Sequence, residues 1–206
     1  MALIKLSNRG VRNVSEFGSV APGSIIFIKK LTASSSGDLT FLNGSSDVVF
    51  DSTYKEYLFT LKNTHPSSDP GIISFQATTD GTNYNTTVTT TYFRAFANEA
   101  DDSTGLAYAS GFDQDQDTAI QNLDSGSGAD NDQASAGLLR VFNPSSTTFV
   151  KHFIATINYI HKSDRSYNFY IAGYFNTASA IDEIQFKMSS GNVDAGTIKL
   201  YGIKDS

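Results

Sequence analysis

The sequence has no cysteine and no tryptophan, and only two methionines and four prolines in 206 residues. Without cysteine there is no disulfide, no thiolate zinc ligand and no thiol nucleophile. The absence also suits assembly in a reducing cytoplasm. Charge is sparse: Asp, Glu, Lys and Arg make up 17% of the chain, which solvates itself mainly with Ser, Thr, Asn and Gly. The opening MALIKLSNRG is interrupted by Lys5, Asn8 and Arg9. It therefore lacks the ~7–15-residue apolar run of a secretory leader. No stretch approaches the ~20 apolar residues of a membrane helix. These absences predict a soluble chain made in the cytoplasm, with no membrane partner and no Sec export.

Fifteen Phe and ten Tyr are present. They supply large apolar area, so a hydrophobic content of 39% does not signal disorder. The length fits a single domain. Charge is unevenly placed. Between Ala97 and Ala136 there are nine acids and no Lys or Arg, which leaves the remainder of a −6 chain at +3. The first thirty residues carry Lys5, Arg9, Arg12, Lys29 and Lys30 against Glu16. A basic arm and an acidic middle are the charge geometry of the chain. The acidic balance and the absence of a recognition motif argue against nucleic acid as a partner.

Residues 1–24 read as an extended arm, broken by Gly10, Gly18, Pro22 and Gly23 and suited to assembly or attachment. Lys5, Arg9 and Arg12 are its candidate attachment residues. From 25 to 206 the pattern is that of one β domain. Ile25 to Ala33 and Leu39 to Leu42 flank Ser34–Asp38 as a hairpin would. Glu56 to Lys62 alternates, with Tyr57, Phe59 and Leu61 on one face, and His65–Gly71 reads as a loop. Further strands are expected at Ile72–Thr78, Tyr84–Ala97, Leu138–Phe142, Thr148–Ile160, Tyr167–Phe175, Ile181–Met188 and Thr197–Ile203. Every residue of the run Thr86–Thr91, five threonines and Val88, is β-branched, and the run so favours strand over helix. Residues 98–136 read as a long acidic loop region, with a short strand at Ala119–Leu123. About a dozen short strands and no helix predict an all-β fold, a jelly-roll-like antiparallel β-sandwich. Thr53–His65 and Thr148–His161 echo each other, as strands at equivalent places in the two sheets of a jelly roll would. The terminal strand is expected to pair beside an early or central strand, bringing the chain end back near the arm, with the acidic loops opposite.

Candidate chemistry is thin. His65, His152 and His161 belong to no metal-binding spacing, and there is no nucleophile elbow or phosphate loop. Asp113, Asp115 and Asp117 open like a calcium loop, with Asp124 at its twelfth position. Thr118 stands where such a loop needs glycine, and Asp124 where it needs a bidentate Glu. Calcium is thus the one cofactor the pattern admits. Tyr84, Tyr92 and Tyr108 are the aromatics placed near loops, where a sugar ring could stack, although most aromatics alternate inside strands as core.

The stretches LTASSSGDLTFLNGSSDVVFDSTYKEYLFTLKNTHPSSD, STTFVKHFIATINY and IDEIQFKMSSGNVDAGTIKLYGIK resemble those of small virion proteins of marine tailed bacteriophages. The likeness runs from about Leu31 to Lys204. It rests on phrases such as TASSS, FKMSSGN and GTIKLYGI and on no catalytic signature. The resemblance implies a tail-fibre, head-fibre or capsid-decoration component, made in the host cytoplasm and carried on the virion. It would be a non-enzymatic structural protein, attached through the arm to other capsid or tail proteins and homo-oligomeric, with a trimer favoured. A second expectation is a receptor- or carbohydrate-binding module that reads a host surface glycan, with calcium assisting. A glycan-degrading enzyme is the third.

Overall fold

The computed structural model describes residues 24–205, so the arm, with Lys5, Arg9 and Arg12, lies outside the described residues. Thirteen strands follow one another: β1 (Ile25–Thr32), β2 (Leu39–Leu42), β3 (Glu56–Pro66), β4 (Ile73–Thr78), β5 (Val88–Asn98), β6 (Thr104–Tyr108), β7 (Asp115–Asp117), β8 (Gln121–Asn122), β9 (Ser135–Phe142), β10 (Lys151–His161), β11 (Arg165–Phe175), β12 (Glu183–Met188) and β13 (Val193–Ile203). They form two antiparallel sheets. The larger has nine strands in the order β1-β13-β3-β9-β10-β11-β5-β6, with β7 also on β5. The smaller runs β2-β12-β4-β8.

The pairings identify the topology. β1 pairs with β13, β2 with β12, β3 with β9, and β4 with β8. Early strands meet late ones, as in an antiparallel ribbon folded back on itself. The pairs β13·β3 and β12·β4 close that ribbon into two four-stranded layers. This is the jelly roll. Two insertions depart from it. β5–β7 come between β4 and β8, and β10–β11 between β9 and β12; together they extend the larger sheet beyond β9.

Alternation places the core. β3 buries Tyr57, Phe59 and Leu61, and β10 buries Phe153, Ala155, Ile157 and Tyr159. In the absence of tryptophan, phenylalanines bridge the layers. Phe75 of β4 sits 5.1 Å from Phe153, 5.9 Å from Phe175 and 6.2 Å from Phe186, measured between ring centroids. Phe41 and Phe59 meet edge to face at 5.2 Å, a geometry that such rings favour.

Four expectations are corrected. β1 and β2 are not a hairpin: the chain crosses from the larger sheet to the smaller at Ser34–Asp38, because consecutive jelly-roll strands alternate between layers. The echoing strands β3 and β10 are not in different sheets; both flank β9 in the larger one. Strand β3 also runs through His65 to Pro66, opposite Val193, where the strand ends; a proline that cannot donate is tolerated at that position. The segment 98–136 is more ordered than a loop. It carries β6, β7, β8 and the start of β9, and it lays Phe112 on Tyr92 at 5.5 Å, covering the inner face of the added strands. The terminal strand lies between β1 and β3. The Lys204 N–H donates to the Ser24 carbonyl at 2.9 Å, beside the point where the arm joins. The added strands β5 and β6 stand at the opposite edge of the sheet.

Candidate functional site

The four aspartates of the calcium pattern are not brought together. Asp113 accepts the Tyr108 hydroxyl at 2.6 Å. Asp115 and Asp117 lie exposed on β7, and the Asp117 carboxylate caps the backbone N–H groups of Thr118 and Ala119. Asp124 is fully buried. Among the described residues no group of three or more His, Asp or Glu side chains is arranged to hold a metal ion.

Asp124 instead anchors a polar seam under the added strands. Its Oδ2 accepts the hydroxyls of Ser127 at 2.7 Å and Ser135 at 2.8 Å, and its Oδ1 accepts the Gly126 N–H at 3.1 Å. Tyr92 on β5 donates to the Asp124 carbonyl, and Tyr159 on β10 meets Ser125. Burial pushes the Asp124 carboxyl up from 3.8 to about 6, against the opposing pull of those three hydrogen bonds. With its side chain fully buried and hydrogen-bonded within the fold, the raised acid bears on stability.

The histidines are separate. His65 lies beside Asp194, with Nδ1 3.8 Å from the carboxylate. His152 packs edge-on against Tyr174. His161 rests on Tyr167, its pKa lowered first by burial and then by Lys162, Arg165 and Arg94. Tyr92 is buried and cannot serve as a sugar platform. Tyr84 donates to the nearly buried Glu183, and burial followed by that bond raises its own pKa to about 12. Tyr84→Phe should therefore cost about 1.5 kcal/mol in chemical denaturation, the lower end for a hydrogen bond to a charged group. An unchanged midpoint would show that water replaces the hydroxyl without loss.

Two surfaces are relevant to binding. One is a polar cleft of about 540 Å³ at the end of β3 and the start of β13, lined by Asn63, His65, Asn131, Asp132, Gln133 and Asp194. The other is the outer face of the larger sheet. Register aligns Thr91, Ala172, Ile154, Arg140, Leu58, Tyr201 and Phe27 in one row across seven strands. A neighbouring row holds Tyr108, Phe93, Tyr170, Thr156 and Leu138. Ile154 is 48%, Phe93 42% and Tyr170 38% exposed. A groove of about 460 Å³ opens between Tyr174, His152, Phe142 and Ile154. Its floor includes Gly173, where a Cβ would lie 2.4 Å from the Thr89 carbonyl oxygen. The close approach of β5 and β11 thus excludes a side chain at Gly173, on the inner side of the sheet where Phe153 and Thr90 lie. The Phe93 and Tyr170 rings stack on each other at 4.9 Å and 12°, so each already uses one of its faces.

The outer face is what the sequence reading missed. The signal was present as adjacent aromatic pairs: Tyr92-Phe93, Phe169-Tyr170 and Tyr174-Phe175. Adjacent strand residues point to opposite faces, so each pair places one ring inside and one outside. Comparison with family models, with curated proteins and with solved structures finds no match to the chain.

Proposed function

We propose that the protein is a non-enzymatic virion structural component, displayed on a bacteriophage particle as a fibre or capsid-decoration element. The observation that carries this reading is the jelly-roll pairing of early with late strands, an architecture recurrent in viral capsid and lectin domains. The resemblance to phage virion proteins supports it, as does an enlarged sheet that offers a broad surface for contacts. The basic arm, through Lys5, Arg9 and Arg12, attaches the domain to an acidic surface on another capsid or tail protein. The test is mass spectrometry of purified particles, with and without residues 1–24 of this chain. The full chain should be found in particles. The truncated chain should be absent from them yet keep its thermal midpoint. Absence of the full chain from particles would overturn the reading.

The polar cleft favours a second reading, the binding of a host surface glycan. Its amides and carboxylates match sugar hydroxyls, although no Phe or Tyr ring lines it. Glycan-array binding lost in Asn63→Ala and Gln133→Ala would support this. Because the aspartates of the calcium pattern stand apart, a chelator should leave such binding intact.

A further inference from the structure

We propose that the outer face of the larger sheet is the surface through which copies of this chain associate, with a second copy as its occupant. This rests on the reading of the protein as a particle component, and three observations carry it.

The first is composition. A sheet that faces water on one side normally presents polar side chains there. Here Ile154, Phe93 and Tyr170 stand exposed, with Tyr201, Leu58 and Leu138 half-buried among them. Monomers rarely expose a continuous apolar patch beyond a few hundred Å².

The second is size. Strands ~4.8 Å apart that rise ~3.4 Å per residue give roughly 800 Å² over seven strands and about seven residues. That is about what one partner contributes to a standard interface.

The third is charge. Contact between identical surfaces brings like groups together near the symmetry axis, and the chain carries −6 overall. Copies repel least where charge is absent or compensated. At the centre of this face Arg140 is held 3.3 Å from Glu56, so the pair is neutral. Lys30 and Lys199 continue the second row at the β1–β13 edge. Across β9, β10, β11 and β5 the face carries no uncompensated Lys, Arg, Asp or Glu, and a strongly charged partner would find no matching field there. The sheet edges are less suited to contact. β1 has a bulge after Phe27, followed by Lys29 and Lys30, and β6 is five residues long. Such features block strand-to-strand addition.

The experiment is light scattering on the full chain at about 50 µM, above the ~1 µM weak end of affinities for interfaces of this size. Wild type should have a mass that is a multiple of 22.2 kDa. Ile154→Glu and Tyr170→Lys should each fall to the mass of one copy, with unchanged circular dichroism. Phe149→Glu, at a 70% exposed position outside the sheet strands, should stay associated. A monomeric wild type overturns the interface, including the case in which residues 1–23 of the same chain cover the face. So does an oligomer that survives both face variants. Particle composition is read separately: a monomer found in particles overturns this inference alone. An oligomer that Ile154→Glu breaks, but that is missing from particles, supports the inference and removes the virion reading.

Discussion

Phe75→Ala is expected to lower the unfolding free energy by about 4 kcal/mol, within the range for deleting a buried phenyl ring. The ring is fully buried on β4 of the smaller sheet. It touches Phe186 in its own layer and Phe153 and Phe175 in the other. β10 and β11, which carry Phe153 and Phe175, are insertions to the eight-stranded ribbon. Phe75 thus does two things: it fills the sandwich, and it fastens the added strands to the smaller sheet. Alanine leaves a cavity that three rigid rings cannot refill from staggered rotamers. Guanidinium denaturation should show the full loss, with hydrogen exchange rising first in β10 and β11. Phe149→Ala, at an exposed position, should shift stability by no more than about 0.5 kcal/mol. A loss below about 1 kcal/mol for Phe75→Ala would mean that the layers are not held together at this ring.

Strand type and strand location were legible to different degrees. Tyr57, Phe59 and Leu61 alternate with polar neighbours, and such a period fixes both the strand and its buried face. Ser34–Asp38 is equally clear as a turn, yet a turn does not say which strand comes next in space. The chain crosses there to the other sheet, because its partners are β13 and β12, more than a hundred and forty residues onward. Pairings at that separation leave no local mark. Residues 109–134 were hardest to read. Gln121, Asp124 and Ser127 are all fully buried, but the composition is that of a solvated loop. Their burial depends on the added strands they cover, and hydroxyl and amide partners from distant segments make it tolerable. The Thr90 hydroxyl bonds Gln121, and the Ser135 hydroxyl bonds Asp124. An aspartate read as the last position of a calcium loop is, in the fold, the acceptor at the centre of a serine cluster.

That position gives the second large effect. Asp124 titrates near 3.8 when solvated and near 6 in the fold, because burial opposes its charge. Between those values the folded state holds a proton that the unfolded state has released. Stability contributed by this group therefore falls as pH rises through that window, and the loss is complete above about pH 7. A shift of about two units corresponds to about 3 kcal/mol. Asp80 pulls the other way. The Asn83 backbone and side chain, then Thr78 and Thr82, hold its carboxyl well below the usual range. Its contribution is present above its ordinary value and lost in strong acid, so the pH profile of wild type alone mixes opposite slopes. Asp124→Asn separates them. Asparagine keeps the shape; its carbonyl can accept the Gly126 N–H while its amide donates to Ser127 and Ser135, whose hydroxyls also accept. The stability of Asp124→Asn relative to wild type should rise by about 2 kcal/mol between pH 4 and pH 7.5, the part of that effect lying above pH 4, as read from urea midpoints at matched ionic strength. Every other group cancels in that difference. A constant offset across the range would mean that the Ser127 and Ser135 hydroxyls stabilise the carboxylate as well as water does, and that the buried aspartate is charged throughout.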